Sequence, residues 1–180
     1  DDDTFSPSKL EAIARNMKTV WEDNDADFAV STIPGKWKEE SGVIIAQKTR
    51  FSFDKDANKL AVFEITRRRI MLNDRDAVNN YSSVYFRIGS ANDGAGIKVI
   101  KANGTVQDVS LRNAVYVEDN DDVPSTFTPY IGKANTYLDK SKSRVIFFKV
   151  AIPDLVPGDI IDYGTIFYDD NTVKKMSYIE

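Results

Sequence analysis

Three consecutive arginines, Arg67-Arg68-Arg69, form the densest group of ligand-capable side chains in this 180-residue sequence. On an alternating strand two of them point one way and the third the other. A fork of guanidinium donors matches the carboxylate of a glycan or a peptide, which makes Arg67 and Arg69 candidate binding residues. The competing reading is a strand face neutralised by cross-strand Asp or Glu. Acidic groups offer less. Glu118, Asp119, Asp121 and Asp122 supply oxygen ligands for a hard cation, or simply a solvated loop. Asp23, Asp25 and Asp27, and again Asp54, Asp56 and Asn58, have the spacing that opens a calcium loop. Phe28 and Lys59 stand where that loop needs glycine, and Pro34 and Ile65 where it needs glutamate. The first stretch therefore reads as a solvated linker and the second as a hairpin turn. Asp159 and Asp162 fall on opposite faces of a regular strand, against the convergence that paired-carboxylate glycoside hydrolysis needs. Asp159 is expected to accept turn amides instead. Ser141 and Lys142 are sequence neighbours and so face apart.

The absences are sharper. The sequence has no cysteine and no histidine. This excludes Cys-His and Ser-His-Asp catalysis, thiolate zinc sites and imidazole metal ligands within the chain. No catalytic residue, metal or cofactor is expected. A net charge of -4 argues against nucleic acid, because phosphate binding needs clustered positive charge. No apolar run approaches the roughly 18 residues of a membrane span. The first residue is not methionine, so the start is expected to be processed or cut, and the chain to be part of a larger protein.

The elements that would hold these residues follow from periodicity. Ser6-Pro7-Ser8 offers a helix start, with Ser6 or Ser8 as the cap and Ser8 to Glu11 as a capping box. Leu10, Ile13, Met17 and Val20 recur at helical spacing through Trp21, an amphipathic helix whose stripe docks on the β core or on a missing neighbour. Residues 1–36 are thus read as helix plus linker and 37–180 as an all-β domain. In 60–72, Phe63 and Ile65 share one parity and Ile70 and Leu72 the other, which predicts a bulge or bend between Thr66 and Arg69. Asp74–Tyr81 suits a short helix, and Val84, Phe86 and Ile88 a strand. Asn103-Gly104 predicts a type I′ hairpin turn between 97 and 109. A short strand is expected in 111–117, then an irregular segment, 118–143. Arg144–Ile152 and Ile160–Tyr168 flank PDLVPGD, in which Pro157, Gly158 and Asp159 are the turn residues. The pair reads as a β-hairpin near the centre of a sheet. Trp37, Tyr81, Tyr85, Tyr116 and Tyr163 could pack or bind, and Tyr130 and Tyr137, in the irregular segment, are candidate partner contacts.

The order of three features is specific. An Arg67-Arg68-Arg69-Ile70-Met71-Leu72 strand is followed by a Lys101-Ala102-Asn103-Gly104 hairpin and by Pro157-Gly158-Asp159-Ile160-Ile161-Asp162-Tyr163. Together with Trp37, Glu40-Ser41 and Val43–Ala46, they resemble the uncharacterised domain that precedes transglutaminase-like domains in bacterial envelope proteins, particularly of Bacteroidetes. The match runs from about Trp37 to Tyr168. The resemblance implies a mainly β, antiparallel sandwich-like domain with the N-terminal helix as an addition. It implies export to the periplasm or cell exterior, and a downstream domain of the same polypeptide as partner. That domain would carry its own Cys-His-Asp triad, so this chain is expected to be a non-catalytic accessory module. The alternative is a stand-alone adhesion module for envelope carbohydrate or protein.

Overall fold

Proline at a first helical position costs no hydrogen bond and presets φ. Pro7 takes that position, so helix α1 runs Pro7–Trp21 with Ser6 as its cap, its side chain accepting from the Lys9 amide. Ser8 lies inside the helix, and the expected Ser8–Glu11 capping box is not formed. The structure, a computed structural model, describes residues 5–56, 59–128 and 146–169.

Two antiparallel sheets make the body. The larger has strand order β1 (Gly42–Asp56), β2 (Lys59–Leu72), β8 (Ile160–Asp169), β4 (Gly94–Ile100) and β5 (Val106–Asp108). The smaller has β3 (Ser83–Arg87), β7 (Phe147–Ala151) and β6 (Val115–Tyr116). The mainly β, sandwich-like expectation therefore holds. A short helix α2 (Arg75–Asn80), capped by Asp74, links β2 to β3 as its sequence suggested.

Two expectations fail, the first because β2 and β8 are covered on both faces. Ile70, Leu72, Ile161 and Tyr163 point at the smaller sheet and share its core with Val84, Phe86, Phe148 and Val150. Phe63, Ile65 and Ile166 point the other way, onto Met17, Val20 and Trp21 of α1. The parity change along β2 is thus two faces serving two layers. Strand β2 pairs with β8 without a slip from Val62 to Met71, and the bulge lies in β1, between Ile44 and Ala46. Nor do β7 and β8 form a hairpin. Each is the central strand of its own sheet, and 152–159 crosses from one sheet to the other. Apolar side chains on both faces fit that arrangement as well as they fit a hairpin, so periodicity alone did not separate the two.

The turn at Asn103-Gly104 is also a different one. Type I′ needs positive φ at both central residues. Here Gly104 alone of the pair is left-handed, at φ 85°. The loop spans Lys101–Thr105, closed by Gly104 N–H to Lys101 O at 2.8 Å and Lys101 N–H to Thr105 O at 2.8 Å. The Asn103 side chain accepts from the Thr105 amide. This is the longer hairpin loop in which a glycine after the turn relaxes the strand twist.

Helix α1 approaches the sheet over glycine. A Cβ on Gly96 would lie 2.7 Å from the Trp21 ring, and one on Gly164 2.8 Å from the Met17 methyl. Gly96→Ala should therefore cost about 1–3 kcal/mol by overpacking. Urea unfolding followed by Trp21 fluorescence checks this, and an unchanged midpoint would show that the helix yields freely.

At the other end, Asp74 accepts from the Ser41 hydroxyl and the Ala77 amide. These bonds hold its carboxyl below the ordinary value of 3.8. A depressed folded-state pKa gives stability that is present above the ordinary value and lost as pH falls through the folded one. Asp74→Asn should accordingly be less stable than the parent at neutral pH, with the gap closing below about pH 4. Thermal melts across pH 2–7 measure it, and a gap that stays constant would count against the charge.

Candidate functional site

Alternation on β2 sends Arg67 and Arg69 to the α1 face and Arg68 to the face between the sheets, as expected for three consecutive strand residues. The two outer arginines meet a carboxylate of their own chain. Asp162 stands on the neighbouring strand β8, directly opposite Arg69 in register, and is 1% exposed. Arg67 donates to both of its oxygens, Nε to Oδ1 at 3.0 Å and Nη2 to Oδ2 at 2.8 Å. Arg69 Nε adds a third bond to Oδ2 at 2.9 Å. Arg67 also donates to the Val20 carbonyl, and its guanidinium lies over Phe28 at 4.4 Å and Trp21 at 5.3 Å. Arg69 reaches the Val30 carbonyl. The carboxylate partner for this fork is therefore internal and cross-strand.

A second lock joins the hairpin loop to the sheet crossover. Asp159 is 0% exposed, and its Oδ2 accepts from Lys101 Nζ at 2.6 Å and from the Val156 amide at 2.9 Å. The expected turn amide is thus present, together with an ion pair that was not foreseen. Asp159 Oδ1 has no hydrogen-bond partner among the described residues. Gly158, next to it, takes φ 94°, which any side chain resists. Its amide donates to Leu72 O at 2.6 Å, while the Leu72 amide donates back to Asp159 O at 2.9 Å.

The linker acids also have an internal partner. Asp23 and Asp25 both bind Lys48, at 3.0 and 2.8 Å. The Lys48 ammonium holds the Asp25 carboxyl below the usual value, and Asp25, then Asp23, raise that of Lys48. Among the described residues no group of three acids converges as a metal site would require. Trp37 is 42% exposed and lies beside Val30, Ile33 and Pro34, along the edge strand at Val43–Ile45. Tyr130 and Tyr137 lie outside the described residues.

The open polar feature is a cavity of about 300 Å³ on the inner face of β1, β2 and β8. Arg68 lines it and is 8% exposed. Its Nε donates to Gln47 Oε1 at 2.9 Å and its Nη1 to the Thr126 carbonyl at 2.8 Å. Across the cavity Arg87 lies 3.9 Å over the Phe167 ring, where burial pulls its pKa down against the attraction of Asp93 and Asp169. Tyr163 donates its hydroxyl to the Tyr85 carbonyl at 2.7 Å, bridging the sheets, and burial pushes its phenol up. Neither Arg68 nor Arg87 was singled out from sequence for this cavity. The signal for Arg68 was its parity, opposite to that of its two neighbours. Arg87 carried none.

No family model matches the chain, and no curated protein matches it. Among solved structures, a "putative protease" from Parabacteroides distasonis superposes at a TM-score of 0.44 and 14% identity, over 70% of this chain and 23% of that one. The chain thus spans about a quarter of that protein's length.

Asp162→Asn should destabilise the fold by about 3–5 kcal/mol in urea, because it leaves two part-buried guanidinium groups without their counter-charge. Replacing Arg67, Arg69 and Asp162 together by apolar residues of similar volume should regain much of that loss. If the triple variant is as unstable as Asp162→Asn, stem packing and not charge carries the contribution.

Proposed function

We propose that this chain is a non-catalytic interaction module of an exported bacterial protein, serving a transglutaminase-like domain of the same polypeptide. One observation carries the reading. The residues that mark the family resemblance are used on one another: the arginine strand holds Asp162, and Lys101 of the hairpin holds Asp159. Marker residues consumed in internal ion pairs act as determinants of a fold, and that is what a scaffold needs and an active centre does not. The sequence contains neither cysteine nor histidine, so a Cys-His-Asp triad would have to come from elsewhere in the polypeptide.

The test is the gene itself. A Cys…His…Asp pattern is expected in the codons beyond Glu180, with an export signal upstream of Asp1. A stop codon soon after Glu180 would overturn the reading. Expression with and without the downstream domain should then show the module changing that domain's KM or stability while showing no turnover alone.

A further inference from the structure

We propose that the Arg68–Arg87 cavity is a binding site for a carboxylate-bearing sugar. This inference goes beyond the accessory role and stands whether or not another domain follows. Arg68 is more than nine-tenths buried, and both of its hydrogen-bond partners, the Gln47 amide oxygen and the Thr126 carbonyl, are neutral acceptors. Among the described residues its bonds thus go to neutral oxygens, and its Nη2 donates to none of them. A guanidinium in that state is poised for a ligand carboxylate, because a charge-assisted bond formed out of water is stronger than one at the surface. Its Nε and Nη1 bonds fix the plane of the fork in advance, so little side-chain freedom is lost when a ligand arrives.

The rest of the lining selects among carboxylates. Arg87, stacked on Phe167 and attracted by Asp93 and Asp169, also lines the cavity. Glu64, 3% exposed, also lines it. Ser125, Thr126 and Thr128 present hydroxyls, and Phe127 and Tyr163, in edge contact at 5.5 Å, present ring surface. One carboxylate, several hydroxyl partners and an apolar wall describe a uronic-acid-like ring better than a peptide terminus, which has no hydroxyls to offer. The volume is at the small end for ligand pockets, which suits one ring and not an extended chain.

The experiment is a titration of the 180-residue chain with sodium D-glucuronate, followed by amide chemical shifts. D-glucose serves as the uncharged ring and N-acetylalanine as a peptide-like carboxylate. Saturable shifts at Gln47, Thr126 and Thr165 are expected with glucuronate, and affinity at least about tenfold weaker for glucose. Arg68→Lys keeps the charge but loses the fork, and should weaken glucuronate about tenfold. Arg87→Gln, read beside an unchanged melting temperature, should also weaken it and carries the test if Arg68→Lys fails to fold. The proposal is overturned if folded protein shows no saturable response to glucuronate, or if binding survives both substitutions. It is equally overturned if N-acetylalanine binds as tightly, since the site would then read a carboxylate without its sugar. These outcomes leave the transglutaminase-associated reading untouched, because that one is decided by the gene.

Discussion

A carboxylate held out of water by two guanidinium groups is the interaction on which this fold is assembled. Removing an ion from water costs several kcal/mol, and attraction in the interior repays this only when geometry is good and the remaining lone pairs are bonded. Asp162 meets that condition with three bonds between 2.8 and 3.0 Å. The arginines then extend the connection. Arg67 binds the carbonyl at the end of α1 and lies over Trp21 and Phe28, and Arg69 reaches Val30. One side chain on β8 thereby ties together β2, the helix and the segment that follows it. A one-residue slip between β2 and β8 would turn Asp162 away from both arginines, so the pairing also specifies register.

The second lock acts where the chain changes sheets. A crossover between sheets has no ladder of its own, so its backbone groups need partners elsewhere. Here Leu72, at the end of β2, exchanges hydrogen bonds with Gly158 and Asp159 on either side of the left-handed glycine. Lys101 brings the β4–β5 loop to the same point, bonding both Asp159 and the Asp154 carbonyl. The prolines on either side end β7 and aim the chain. The Asp159 ion pair then closes the corner against the hairpin loop.

Local structure was legible in the sequence where a single residue decides it. Pro7 set the start of α1 and Gly158 a turn, and 74–81 suited the short helix α2, though not its Asp74 cap. The mainly β class followed from the alternation of apolar residues. What could not be read was which face belongs to which layer. Phe63 and Ile65 against Ile70 and Leu72 has the same pattern whether a strand is bulged or buried on both sides, and the second case requires knowing that α1 covers the outer face. The glycines that admit the helix, Gly96 and Gly164, sit in strands and give no sign in one dimension of what approaches them. For the same reason β7 and β8 resembled a hairpin: both are central strands, but in different sheets. The partner of Arg67 and Arg69 was foreseeable as a cross-strand acid. That the acid would be Asp162 depended on the pairing of β2 with β8, some ninety residues on.

Strand parity then explains why three identical side chains do different work. Arg67 and Arg69 look toward a carboxylate of their own chain, so their charge is satisfied by folding and contributes to stability. Arg68 looks the other way, and its bonds among the described residues go to neutral oxygens, on Gln47 and Thr126. Hydrogen bonding to a neutral acceptor orients a guanidinium without cancelling its charge. The desolvation cost of burying Arg68 is therefore only partly offset within the described fold, and the remainder is available to whatever anion enters the cavity beside it. A protein that needed Arg68 for packing alone would be served as well by methionine or leucine at that position. An arginine there, fixed by two neutral acceptors, is what the proposed carboxylate site would use.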